Sequence, residues 1–153
     1  MIYLLYGQPG SGKTELGKIL ANRMLTPYII DGDEFREIFK NKNYGKQGRI
    51  ENIKMANACA SYLNLQHGHD VVMSLVNPYE DLRRELKELN KNVLQVYLNT
   101  NRDLRKEYHV EDFEVGSPDI TLNTDLTIDV TWEGYKRAVG KYLECPPHMN
   151  NSK

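Results

Sequence analysis

Gly7-Gln8-Pro9-Gly10-Ser11-Gly12-Lys13-Thr14 follows directly on Ile2-Tyr3-Leu4-Leu5-Tyr6, and the reading of this junction decides the fold. The run before the glycines is uncharged and β-prone, so it reads as a strand buried on both faces, hence central and parallel. The octet fits the pattern G-x-x-x-x-G-K-[ST]. Glycines at 7, 10 and 12 let the main chain curl until its N–H groups point inward at phosphate oxygens. A helix opening at Lys13 adds its positive N-terminal end. Lys13 is then expected to reach the β- and γ-phosphates of ATP, and the Thr14 hydroxyl to ligate Mg2+. At ordinary glycine usage the pattern arises by accident in roughly one chain of this length in a few hundred. Gly7, Gln8, Pro9, Gly10, Ser11, Gly12, Lys13, Thr14 and the adjoining Glu15 are therefore the expected nucleotide-binding set.

Outward from this loop, strands and helices alternate. A helix is expected from Lys13 to Met24, with Leu16, Ile19, Leu20 and Met24 as its apolar stripe. Pro27–Ile30 reads as a second strand, followed by a short helix carrying Phe35, Ile38 and Phe39. The polar, glycine-containing stretch 41–48 reads as a loop, and Arg49 to Gln66 as a helix. Asp70–Val76 reads as the third strand, Tyr79–Leu89 as a helix and Val93–Leu98 as the fourth strand. A helix over 102–108 leads to a polar loop ending at Ser117-Pro118. Leu126–Val130 is expected to be the fifth strand, and Trp132–Leu143 the closing helix. The pattern predicts an α/β domain of the P-loop NTPase fold, nucleotide-kinase-like, with a five-stranded parallel sheet flanked by helices. In such sheets ligands bind beyond the carboxyl ends of the strands.

The chain has 153 residues, one domain's worth, and we expect a single domain over 1–145 with a disordered polar tail over 146–153. Twenty basic and 21 acidic residues leave a net charge of −1, which gives no bulk pull toward nucleic acid or membrane. No apolar run approaches the ~20 residues of a membrane span. The short apolar start, followed at once by glycines, does not read as a signal peptide. Cys59 and Cys145 are expected to be reduced thiols in a cytoplasmic protein.

Asp31-Gly32-Asp33, then Arg36, follows the second strand. A kinase needs a carboxylate near the acceptor hydroxyl to orient it and take its proton, and positive charge over the transferring group. Asp33 and Arg36, three apart, share a helix face. The plainer reading makes Asp33 a helix cap and Arg36 a solvated charge. Arg49 and Asn52 are also three apart and could grip an anionic acceptor, although such a pair is more often a solvated face. Lys18 and Lys54 read as surface charges.

The ordered set of the glycine loop, Asp31-Gly32-Asp33-x-x-Arg36, Arg49-x-x-Asn52-Ile53, Val76-Asn77-Pro78-Tyr79 and Ser117-Pro118 ahead of Leu126-Thr127-Ile128-Asp129 resembles adenylylsulfate kinase. That family phosphorylates the 3′-hydroxyl of adenosine 5′-phosphosulfate. The likeness runs from about residue 2 to 143 and implies specific roles. Asp31 and Asp33 lie beside the reacting hydroxyl, Asp33 as base. Arg36, Arg49 and Asn52 hold the phosphosulfate end. Val76, Asn77 and Pro78 line the same pocket, Phe113 stacks on the acceptor base, and Tyr44 forms the opposite wall. The family is often dimeric, but no apolar stripe here demands a homodimer.

Three features depart from the family. Asn77 stands where it has serine, Leu75 where it has phenylalanine, and the basic lid between the fourth and fifth strands is shortened. Tyr108-His109-Val110-Glu111-Asp112-Phe113-Glu114 replaces its lysine and arginine, leaving Arg102, Arg105 and Lys106 to supply cations. His109 reads as an exposed loop histidine. Three alternatives stay open at this level: a different nucleotide-like or hydroxyl acceptor, a nucleotide-binding protein without catalysis, and, against the charge balance, a polynucleotide kinase.

Overall fold

The computed structural model describes residues 1–144. The tail over 146–153 and the Cys145 thiol lie outside the described residues.

β1 (Ile2–Tyr6) is the middle strand of a five-stranded parallel sheet of order β2-β3-β1-β4-β5. β2 is Ile29–Asp31, β3 Val71–Leu75, β4 Val93–Asn99 and β5 Ile120–Asn123. Ile2 pairs in register with Val71 on one side and Val93 on the other. The helices are α1 (Lys13–Arg23), α2 (Gly32–Ile38), α3 (Lys46–Ser61), α4 (Glu80–Leu89) and α5 (Ile128–Glu144).

Side-chain alternation along β1 builds a core on each face of the sheet. Ile2, Leu4 and Tyr6 pack with Ala56 and Ala60 of α3 and Leu86 of α4. Leu5 packs with Leu16 and Leu20 of α1 and Tyr135 of α5. The small residues on α3 let it lie close to the sheet. A Cβ at Gly17 would run into the Ser74 side chain, so α1 needs a glycine there to sit down on β3.

Two expected elements are corrected. Leu126–Val130 is not a strand: the fifth strand is Ile120–Asn123, and α5 already begins at Ile128. Both segments alternate apolar and polar residues, but only one is pinned beside β4. The Asp119 carboxylate accepts from the Gln95 amide at 2.8 Å and from Lys87 Nζ at 3.0 Å, setting the register for buried Ile120 and Leu122. Thr127 instead opens the helix: its carbonyl accepts from the Thr131 amide at 3.1 Å. Ile128, Trp132, Tyr135, Val139 and Tyr142 then recur at helical spacing against the second core.

The helix expected over 102–108 is only a 3₁₀ turn at Lys106–Tyr108. That segment has no apolar stripe to bury, and Arg105 takes a left-handed φ of 55° that breaks any helix. The loop expected over 41–48 is shorter, since α3 begins at Lys46. Elsewhere boundaries move by a residue or two.

Candidate active site

The loop between β1 and α1 is curled as its glycines require. Gly10 and Gly12 sit at φ 84° and 90°, where a side chain would be strained. A Cβ on Gly7 would strike the Leu98 carbonyl, so the loop can lie against β4 only with glycine there. The first-turn amides of α1 have no intrahelical acceptor, which leaves them available to an anion. Ser11 is buried. Glu15 is exposed in the first turn of α1, a position that favours negative charge.

Lys13 lies within the curl, donating from Nζ to the Gln8 carbonyl at 2.9 Å and to Ser11 Oγ at 3.2 Å. Burial lowers its pKa from 10.5 to about 8, although Asp33 and Asp31 pull in the opposite direction.

Asp31 ends β2 and caps α2. Its Oδ1 accepts from the Asp33 amide at 3.0 Å and the Glu34 amide at 3.4 Å. Its Oδ2 accepts from the Thr14 hydroxyl at 2.6 Å. One buried carboxylate thus ties α2 to the glycine loop. The capping role that the sequence allowed for Asp33 belongs to Asp31, and Asp33 is left exposed. Its carboxylate lies 3.8 Å from Arg105 Nη1. Thr14 Oγ1 and Asp31 Oδ2 form a pair of hard oxygen donors, the kind that suits Mg2+ held mainly by phosphates and water.

Arg36 is buried on α2. Its Nη1 donates to the Asn43 carbonyl at 2.9 Å and, at 3.4 Å, to the Asn41 carbonyl and side chain, while the guanidinium lies 4.6 Å from the Tyr44 ring centroid. Burial pushes its pKa down, with Arg49 adding to that and Tyr44 opposing it. Arg36 therefore folds the segment that leads into α3. Asn52 is buried and donates to the Gly32 carbonyl at 3.4 Å, joining α3 to α2, and Arg49 is half-buried one turn earlier.

Past β3, Val76 accepts from the Gly7 amide at 3.3 Å, and the Pro78 carbonyl accepts from the Glu114 amide at 2.8 Å. Asn77 sits between them with φ 42°, and its side-chain amide is buried without a partner on either polar atom. Phe113 is half-buried, packed nearly parallel to Tyr6 at a centroid distance of 6.3 Å and tilted against Tyr97 at 5.9 Å. Tyr44 covers Arg36, not the Phe113 ring.

Several contacts were not foreseen. Gln8 pairs through both amide atoms with the Val110 backbone, donating at 2.8 Å and accepting at 2.9 Å. His109 is half-buried, with Nε2 3.1 Å from the Pro9 carbonyl. These bonds strap the shortened lid onto the glycine loop. Leu104 lies over Gly10, and a Cβ at Gly12 would stand 3.9 Å from Arg102 Nη2. Arg102 and Arg105 thus reach the mouth of the curl, whereas Lys106 pairs with Asp103 at 3.4 Å. The sequence offered no signal for the strap, because its partners are about a hundred residues apart.

The sequence pattern of adenylylsulphate kinase matches residues 1–113. A cytidine diphosphoramidate kinase of Campylobacter jejuni is 32% identical over 101 residues, 63% of this chain and 59% of that protein. An adenylyl-sulfate kinase of Picosynechococcus is 30% identical over 98 residues, 61% of this chain and 55% of that protein. The matches thus span little more than half the length of these relatives. Among solved structures, an APS kinase of Mycobacterium tuberculosis in complex with AMPPNP and APS superposes with a TM-score of 0.74 at 18% identity, covering 91% of this chain and 96% of that one. A gluconokinase of Sinorhizobium meliloti reaches 0.64 at 14% identity, covering 94% and 95%. The fold is therefore shared by kinases with chemically different acceptors, while the sequence match is narrower: the chain belongs to the adenylylsulphate kinase family.

Proposed function

We propose that the protein is an ATP-dependent kinase that transfers the γ-phosphoryl group to a hydroxyl of a nucleotide-like acceptor, with the 3′-hydroxyl of adenosine 5′-phosphosulfate as the first acceptor to test. The observation that carries this is the direct Thr14–Asp31 bond, which sets the exposed Asp33 carboxylate beside the phosphate loop and its buried lysine. The curl over residues 7–15, through those main-chain amides that carry no protein partner, and the Lys13 ammonium hold the triphosphate. Thr14, with Asp31 behind it, holds Mg2+, which when bound neutralises phosphate charge. Asp33 accepts the acceptor's hydroxyl proton as that oxygen forms its bond to phosphorus. The bond from phosphorus to the bridging oxygen breaks, and ADP leaves with the electron pair. Arg102 and Arg105 supply the positive charge that the family draws from a longer lid. Arg36, Arg49, Asn52, Val76, Asn77, Pro78 and Phe113 wall the acceptor side. The chemistry belongs to one domain over 1–145. Among the described residues no helix is long and apolar enough to cross a membrane.

A second acceptor is favoured by specific observations. The Campylobacter relative is named for cytidine diphosphoramidate, and this chain has Asn77 and Leu75 where the family pattern has serine and phenylalanine. Purified protein with ATP and Mg2+ is offered adenosine 5′-phosphosulfate and cytidine diphosphoramidate separately, and the products are weighed by mass spectrometry. One added phosphoryl group on either acceptor, with matching ADP, is the expected result and names the acceptor. ATP binding with no product from a wider panel of hydroxyl acceptors would overturn the kinase reading.

A further inference from the structure

Arg83, on the inner face of α4, is only 1% exposed and is the largest of the fully buried side chains. Its guanidinium lies 4.2 Å from the Tyr6 ring centroid. Nη1 donates to the Asn77 carbonyl at 2.6 Å, and Nη2 donates to the carbonyls of Glu114 at 2.6 Å and Val115 at 3.1 Å. Nε has no partner. Burying a cation is costly, and burial pushes its pKa down, with Tyr6 and the carboxylates of Glu80, Glu114 and Asp81 opposing. What the arrangement achieves is a junction. The three carbonyls belong to two segments remote in sequence, the turn after β3 and the stretch returning from the lid.

We propose that Arg83 is the positioning residue of the acceptor half of the site. It locks the Asn77-Pro78 turn and the Phe113 segment into one wall, acting through main-chain carbonyls and touching no substrate. The inference rests on the reading that Asn77, Pro78 and Phe113 face the acceptor. The turn does not hold itself: Asn77 is left-handed, and neither polar atom of its side-chain amide has a partner. Tyr6 completes the junction. Its ring underlies the guanidinium and packs parallel to Phe113, and its hydroxyl donates to the Val115 carbonyl at 2.6 Å. Burial pushes that phenol up to about 12, with Arg83 opposing, so it remains a donor. Lysine at 83 would present one compact charge and could not span both segments in the way a planar fork does.

The test uses the full chain with Arg83→Lys and Tyr6→Phe. Hydrogen exchange is followed at 76–79, at 113–116 and at the 7–14 loop. ADP affinity is measured by calorimetry, and kinetics use adenosine 5′-phosphosulfate or cytidine diphosphoramidate. In Arg83→Lys, exchange at the Glu114 amide is expected to quicken by about tenfold, with the 7–14 loop unchanged and ADP affinity within about twofold. Acceptor KM is expected to rise by about tenfold, with kcat falling by less than about threefold. Tyr6→Phe removes one bond and keeps the ring, so about threefold faster exchange at 113–116 is expected. It decides the matter if Arg83→Lys does not fold. Unchanged exchange at 113–116 overturns the proposal, as does an ADP affinity that falls in step with the acceptor's. If the wild type turns over neither acceptor, the acceptor assignment fails, while exchange and ADP affinity still judge the Arg83 junction.

Discussion

Lys13 and Asp33, the two residues proposed to share the chemistry, differ in setting: one is buried and one open to solvent. Because burial holds the Lys13 pKa at about 8, its charge in the free protein is full below that pH and lost above it. Bound phosphates favour the charged form, so above about pH 8 nucleotide binding must take up a proton. Affinity is then expected to fall by roughly tenfold per pH unit and to be flat below, as read by ADP titration. Lys13→Ala should remove both the slope and measurable turnover; wild-type rates in that variant would show the phosphates to be elsewhere. Asp33→Asn keeps shape and loses the proton acceptor. ADP affinity should stay within about twofold while turnover drops by about 10²–10⁴-fold, the range of general-base catalysis. Unchanged turnover would take that role from Asp33.

At the scale of elements, the glycine loop and the lid behave as one piece. The Gln8 side chain does for Val110 what a neighbouring strand would do, offering a donor and an acceptor together. His109 adds a bond to the next residue of the loop. Gln8→Ala is expected to loosen 109–110 by about 1–2 kcal/mol, the net worth of two neutral hydrogen bonds. Exchange at the Val110 amide should rise by about tenfold. ADP affinity should change little, because the proposed phosphate contacts come from main-chain amides and Lys13 and not from the Gln8 side chain. Turnover should fall if Arg102 and Arg105 depend on the strap for their place, and an unchanged rate would show that they do not.

The whole molecule is a sheet with a separate core on each face, and both cores depend on β1. Leu4 and Leu5 are fully buried on opposite faces. Leu4→Ala and Leu5→Ala should each cost about 2–5 kcal/mol, seen as a lower urea midpoint with the slope unchanged. As neighbours on one strand they fall short of the separation at which such costs reliably add, so the double variant reads any coupling between the two cores. The same strand launches the phosphate loop, so saturating ADP should recover part of the loss by mass action.

Local chemistry was enough for much of this. A charge-free strand, three glycines at fixed spacing and a lysine define the curl because main-chain sterics at Gly10 and Gly12 permit little else. The apolar periods of α1 and of β1, β3 and β4 follow from burial on two faces. Period alone could not choose between Ile120–Asn123 and Leu126–Val130 for the last strand, since both alternate; Asp119 bound to β4 made that choice. Nor could spacing show that Asp31, and not Asp33, caps α2, or that Arg36 hydrogen-bonds to the 41–43 segment. The Gln8 strap and the Arg83 junction join residues from about thirty to a hundred positions apart. Such contacts have no local signature, because only the packed sheet brings their partners within hydrogen-bonding distance.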